Sequence, residues 1–215
     1  GSGLSSSAAF EIMVGTILNH LFNDGVIDPV VIAQIGQYAE NVHFGKPCGL
    51  LDQMSCSVGG YVAVDFYDPS KPIVEKVDFD FAKSGYTMCI VDTKGSHADL
   101  TDEYAAITNE LKSVCAYFGK DVLTQIDEAE FYQNLAELRK VCGDRAVLRS
   151  MHFYAENTRV VKQVEALRNG DFDAFLKLIC ESGHSSYMYL QNVIPSGYTA
   201  HQDVAVALGL CAHAL

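Results

Sequence analysis

The sequence predicts an α+β fold, on two observations. Apolar residues at helical spacing open the chain and fill most of its second half, while the strand-like stretches are confined to a band between residues 61 and 92. With 215 residues, 49% of them apolar, there is material for one large domain or two small ones with real cores.

The elements follow in order. Ala9, Ile12, Met13, Thr16, Ile17 and Leu21 form an apolar stripe at helical spacing, directly after a polar, small-residue start. Asp28-Pro29 pairs an N-cap residue with proline at the first helical position and opens a helix through about Glu40. A Gly/Pro loop covers Phe44 to Leu51, and Gly59-Gly60 punctuates the chain before a strand at Tyr61–Asp65. A weaker strand is expected over Ile73–Phe79 and a buried one over Tyr86–Asp92. Tyr104, Ile107, Leu111, Val114 and Phe118 then mark a helix that stops at Gly119. Further helices fit Glu128–Val141, Arg145–Arg168, Phe172–Cys180 and His201–Ala214.

Composition excludes several function classes. A net charge of −12 argues against a nucleic-acid surface, which needs a basic stripe. It leaves room for a nucleotide, since a small pocket can hold phosphate with backbone N–H groups. No apolar run approaches bilayer length and the start has no signal-peptide pattern, so no membrane partner is expected and a cytoplasmic location is. Seven cysteines, among them Cys89, Cys115, Cys180 and Cys211 in apolar stretches, show no metal-ligand spacing and read as buried thiols in a reducing compartment. His43, His97, His152, His184, His201 and His213 are spread over different elements, which gives zinc no support.

Two segments carry chemistry. In Gly1-Ser2-Gly3-Leu4-Ser5-Ser6-Ser7-Ala8, glycines allow close backbone approach, serine hydroxyls add donors, and the following helix offers unpaired N–H groups with partial positive charge. That suits a nucleotide's phosphates. The segment lacks the GK[ST] of a Walker A loop and carries Ser6 where the dinucleotide fingerprint needs a third glycine. The plain alternative is an ordinary serine-capped helix. The second segment, Gly45-Lys46-Pro47-Cys48-Gly49-Leu50-Leu51-Asp52-Gln53-Met54, sets one carboxylate among apolar and small residues. Such a carboxylate could accept a proton from a sugar hydroxyl during phosphoryl transfer, or Asp52 could simply N-cap a short helix starting at Gln53.

Together these segments resemble the GHMP kinase superfamily. Gly3–Ala8 resembles the motif that wraps the ATP phosphates, and Pro47-Cys48-Gly49-Leu50-Leu51-Asp52-Gln53 resembles the catalytic loop in its galactokinase form. The likeness continues, in order, through Val91-Asp92-Thr93-Lys94-Gly95-Ser96-His97, Glu103-Tyr104, Arg149–Asn157 and Glu181–Ser186.

The resemblance implies a two-domain architecture with the active site in the interdomain cleft. Residues 1–58 would be the remainder of the N-terminal ATP- and sugar-binding domain, and 59–215 an incomplete, mostly helical C-terminal domain. It implies Asp52 as catalytic carboxylate, Gly49 and Tyr104 at the sugar, and Gly1, Gly3, Ser5, Ser6 and Ser7 at the ATP phosphates. Ser7 and Glu40 would hold Mg2+. For Tyr104, packing on the apolar stripe is the competing account; for Glu40, a solvated charge at a helix end.

The implied activity is phosphorylation of galactose by ATP at the C1 hydroxyl. The alternatives are another GHMP sugar kinase, acting on N-acetylgalactosamine or arabinose, and a sugar sensor without catalysis. The superfamily's first and third motifs would lie before Gly1 and after Leu215, so the chain reads as a central fragment expected to be inactive alone.

Overall fold

The computed structural model describes residues 4–46, 48–94 and 100–214. The chain divides into two units, Gly1–Asp80 and Phe81–Leu215, each built around its own apolar cluster.

In the first unit, α1 (Ser6–Phe22) and α2 (Pro29–Tyr38) are joined by a short turn. Asp28 accepts a 2.8 Å hydrogen bond from the Val30 N–H, and Pro29 sits at the first helical position, as the Asp-Pro pair predicts. The turn is pinned by buried Asn19, which donates Nδ2–H to the Ile27 carbonyl and accepts from the Ile27 N–H, both at 3.1 Å. Such two-sided satisfaction is what lets a polar amide be buried. At Gly15 the two helices approach so closely that a Cβ would stand 3.1 Å from Ile32 Cγ2.

The third helix, α3 (Leu51–Val58), lies against both, and Ile12, Ile32, Ala33, Leu50 and Met54 form the cluster where the three meet. Of the apolar stripe predicted on α1, Ile12 is buried, whereas Met13, Ile17 and Leu21 are exposed. In this unit α2 and α3 cover only one side of that helix. An antiparallel hairpin of β1 (Tyr61–Asp65) and β2 (Ile73–Val77) completes the unit, with Tyr61 opposite Val77 and Asp65 opposite Ile73. Val64, Phe66 and Val74 from the hairpin pack on the three-helix cluster.

The second unit is helical, with α4 (Thr101–Tyr117), α5 (Glu128–Gln133), α6 (Leu135–Val141), α7 (Asp144–Arg168), α8 (Phe172–Ser185) and α9 (Asp203–Ala214). Gly119 takes φ +63 after α4, the left-handed turn that a glycine stop supplies. The stretch predicted as one helix over Glu128–Val141 is broken at Asn134 into α5 and α6. Asn134 Nδ2 bonds the Glu130 carbonyl at 2.8 Å, the competition with helical hydrogen bonding that asparagine offers.

The buried strand expected over Tyr86–Asp92 does not form. That stretch is irregular, and Tyr86, Met88, Ile90 and Val91 are exposed; a strand without a paired neighbour has nowhere to place its backbone hydrogen bonds. The thiols also depart from expectation. Cys115 is buried, but Cys89, Cys180 and Cys211 are exposed, the first in the irregular stretch and the others on solvent-facing sides of α8 and α9.

The core of this unit is Val114, Leu123, Ile126, Phe131, Leu138, Val147 and Tyr154, with Phe131 and Tyr154 rings 5.2 Å apart. A charged clamp ties α4 to α7. Buried Arg149 donates to Glu110 Oε2 at 2.9 Å and to the Leu190 carbonyl at 3.0 Å, while Arg145 Nε reaches Glu110 Oε1 at 2.8 Å.

His152, on α7, shares a 2.9 Å hydrogen bond with Ser185 Oγ. Burial, and then the nearby Arg159 charge, push its pKa below the ordinary 6.5. A histidine so depressed binds its proton more tightly in the unfolded chain, so its share of stability is complete above about pH 6.5 and declines as pH falls below it. Urea melts of the wild type and His152→Gln between pH 7.5 and 5 should show a shallower loss on the acid side in the variant. Parallel curves would dismiss the assignment.

Candidate active site

The chain enters α1 through Ser5, which sits at the N-cap with φ 52 and ψ 37, a left-handed conformation uncommon outside glycine. Its side chain makes no cap hydrogen bond. The hydroxyl two residues on does something else: Ser7 Oγ donates to Glu40 Oε1 at 3.1 Å, across 33 residues of chain. An ordinary serine-capped helix is therefore not what this turn is. Among the described residues no side chain caps its leading N–H groups, the kind of helix start that can take an anion.

Glu40 sits in a wide, π-type turn over Ala39–His43 that continues α2. Only 4% exposed, it is no solvated charge. Besides Ser7, its Oε1 accepts from Lys46 Nζ at 2.8 Å, and its Oε2 accepts from Gln53 Nε2 at 2.9 Å. Burial alone would push this carboxyl up. The Lys46 and Ser7 hydrogen bonds outweigh burial and leave it below the ordinary carboxylate value. Glu11, one turn after Ser7, completes the cluster. Its Oε2 is buried without a donor, and burial followed by the Glu40 charge raises its pKa.

The loop between α2 and α3 is pinned at several points. The Cys48 N–H donates to Asn41 Oδ1 at 2.7 Å, the Cys48 carbonyl accepts from Gln37 Nε2 at 3.2 Å, and the Lys46 N–H donates to the Glu40 carbonyl at 3.0 Å. Leu50, Gln53 and Met54 are buried and anchor the start of α3, which leaves Asp52 exposed in the helix's first turn. Although its sequence neighbours are apolar and small, no apolar enclosure surrounds that carboxylate among the described residues. Asp52 is also not the cap, since the N-cap position belongs to Leu50. Gly49 is exposed, and a Cβ there would meet nothing within 4 Å, so the backbone faces open space.

Ser7, Glu40 and Gln53 therefore form one relay that sets the start of α1 beside the turn carrying Asp52. A hydroxyl and an ionised carboxylate 3.1 Å apart are both hard oxygen donors. Adjacent corners of a Mg2+ octahedron, with bonds of about 2.1 Å, stand roughly 3 Å apart, so this donor pair fits that cation with phosphate and water completing the shell.

Residues 1–60 match the family described as GHMP kinases N terminal domain. The chain is 32% identical over 208 residues to a galactokinase of Actinobacillus pleuropneumoniae serotype 3, covering 97% of this chain and 53% of that protein. It is 34% identical over 194 residues to a galactokinase of Clostridium acetobutylicum, covering 85% and 46%. The first 60 residues thus match a GHMP kinase N-terminal domain, and the likeness to galactokinases runs on through most of the chain. The crystal structure of Lactococcus lactis galactokinase complexed with galactose superposes with a TM-score of 0.63 at 25% identity, over 87% of this chain and 48% of that one. The chain spans about half the length of the curated galactokinases it matches.

Of the positions named from sequence, the structure brings Ser7 and Glu40 together directly and sets Asp52 on the turn that Gln53 ties to them. Ser5 and Ser6 stand at the entry of α1; Gly1 and Gly3 lie outside the described residues, as does His97. Tyr104 belongs to the second unit, in the first turn of α4. At 59% exposed, it is not packed on the apolar stripe. With Glu103, Arg149, Asn192 and Pro195 it lines a pocket of about 80 Å³, well under the ~300 Å³ at which small-molecule sites usually begin.

Lys46, Gln53 and Glu11 are the site residues that sequence reasoning missed. The one signal was the spacing from Ser7 to Glu11, a single helical turn that puts both on one face of α1. Among the described residues no group of three or more His, Cys, Asp or Glu side chains is placed to hold a metal ion, so the protein side of the Mg2+ reading is the Ser7–Glu40 pair alone, and no helix is long and apolar enough to cross a membrane.

Proposed function

We propose that this chain supplies the phosphate-holding turn and the acceptor-facing carboxylate of an ATP-dependent galactokinase, which moves the γ-phosphoryl group of ATP to the C1 hydroxyl of galactose. The observation that carries the reading is the Ser7–Glu40–Gln53 relay, because it sets the open N-terminal turn of α1 beside the turn bearing Asp52.

In this reading Ser5 and Ser6, with Gly1 and Gly3 before them, hold the nucleotide's phosphates through N–H and hydroxyl groups. Ser7 and Glu40 hold Mg2+, which when bound neutralises charge on the transferring phosphoryl group. Asp52 orients the C1 hydroxyl and receives its proton as the new O–P bond forms and the bond to ADP breaks. Gly49 lets the sugar approach the backbone, and Tyr104 is assigned to a sugar hydroxyl by resemblance. Residues 1–58 and 59–215 are the domain portions that the resemblance implies, although the first compact unit runs on through the hairpin to Asp80, and a cytoplasmic site of action suits seven free thiols. Positioning and fixed charge carry most of the acceleration.

The test is a coupled assay on the intact protein with Mg2+·ATP and galactose, beside N-acetylgalactosamine and arabinose, together with thermal-shift titrations. Galactose-dependent ADP release and stabilisation by both ligands are expected. ADP release with another of the sugars alone would move the substrate assignment. No turnover and no stabilisation by either ligand would end the kinase reading.

A further inference from the structure

Lys46 lies just before the stretch that resembles the catalytic loop and carries no role from that resemblance, yet it makes the shortest polar contact to the buried carboxylate. Gly45, at φ +65, turns the loop back so that Lys46 meets Glu40 twice, with its backbone N–H on the Glu40 carbonyl at 3.0 Å and its ammonium on Oε1 at 2.8 Å. Oε1 is also the oxygen that takes the Ser7 hydroxyl, so both of its acceptor positions are filled. The two cation-facing partners differ in freedom. Gln53 is 1% exposed and locked onto Oε2, whereas the Lys46 side chain is 61% exposed. An ammonium on a flexible, solvated stem exchanges a carboxylate for water readily, and a buried amide does not.

We propose that Lys46 is a displaceable counter-cation: it occupies Glu40 while no divalent cation is bound and withdraws to solvent, or to the incoming phosphates, when one arrives. The inference rests on the reading that Ser7 and Glu40 are the metal-holding pair. A buried carboxylate left without any cation is costly, so the tethered ammonium keeps the pocket intact when it holds no ligand. The same tether makes free divalent metal compete with a positive charge held at contact distance. A metal that arrives with a nucleotide offers the lysine new anionic partners. The site thereby favours the metal–nucleotide complex over free metal.

The test uses Mn2+ alone, without nucleotide, on the intact protein. Lys46→Met should bind Mn2+ about 10-fold more tightly than wild type, judged from the repulsion that one nearby charge exerts in a partly buried site. It should also melt lower in chelator and recover with Mn2+. Lys46→Arg, which keeps a cation, should behave as wild type. A Lys46→Met protein with wild-type Mn2+ affinity and no Mn2+-dependent recovery overturns the proposal, because a merely structural lysine would lower the melting point without metal rescue. Glu40→Gln separates the two levels of the argument. If it leaves Mn2+ binding intact, the metal-pair reading itself fails. If it abolishes Mn2+ binding while Lys46→Met changes nothing, only the lysine assignment fails. Should Lys46→Met not fold, acetylation of wild-type Lys46 followed by mass spectrometry answers the same question. Its rate should rise several-fold when Mn2+ is added, and an unchanged rate overturns the proposal.

Discussion

Replacing Asp52 with Asn in the intact protein is expected to lower kcat by about 10²–10⁴-fold, the range that a positioned proton acceptor contributes, with nucleotide binding unchanged. The fold argues that this loss would be chemical rather than structural. Asp52 is exposed in the first turn of α3, and the residues that seat the turn are its neighbours Leu50, Gln53 and Met54, all buried. It takes no part in the relay that holds the helix start, so the variant's stability should stay within about 0.5 kcal/mol of wild type. The measurement is kcat and the ATP dissociation constant side by side. A variant retaining more than about a tenth of wild-type turnover would remove Asp52 from proton transfer, because a genuine acceptor leaves far less behind.

The largest expected effect on stability is at Phe131. Its ring is fully buried at the centre of the second unit's cluster, 5.2 Å from the Tyr154 ring and the same distance from that of Tyr132. Truncation to alanine removes the aromatic burial and leaves a cavity that flanking helices refill only in part, so about 3–5 kcal/mol should be lost. Phe131→Leu, closer in volume, should cost far less, below about 1.5 kcal/mol. Urea unfolding of the two variants checks the pair. Equal losses would mean that ring packing is not what the site needs, and a small loss for alanine would mean that the cluster collapses into the gap.

What the sequence shows best is what depends on local chemistry. Asp28-Pro29 marks the start of α2 to the residue, and Tyr61–Asp65 marks β1, because capping and alternation are written into neighbouring positions. Tyr86–Asp92 fails for the opposite reason. A hydrophobic run states a preference for burial but not whether a neighbouring strand exists to pair with it. The break at Asn134 turns on one side-chain hydrogen bond that the apolar periodicity over 128–141 conceals.

The candidate site divides along the same line. Ser7, Glu40 and Asp52 are legible because they stand in recognisable motifs or in positions that a resemblance assigns. Lys46 and Gln53 act only through long-range geometry, meeting Glu40 because a glycine turn and a helix start bring them there. The burial of Glu40 is equally invisible beforehand, since a glutamate at a helix end ordinarily faces water.

The wide turn over Ala39–His43 has a consequence for how this stretch of chain can vary. The Phe44 N–H bonds the Ala39 carbonyl, and the Lys46 N–H reaches as far back as Glu40, spacings broader than a regular helix allows. The surplus residue rotates Glu40 inward while aiming Asn41 at the Cys48 amide. Shortening the turn by one position would swing both side chains roughly 100° about the axis and break the two attachments together. Val42 and His43 themselves are exposed, His43 meeting only the Tyr38 ring edge-on at 5.8 Å among the described aromatic contacts. Spacing, more than identity, is what this segment has to preserve.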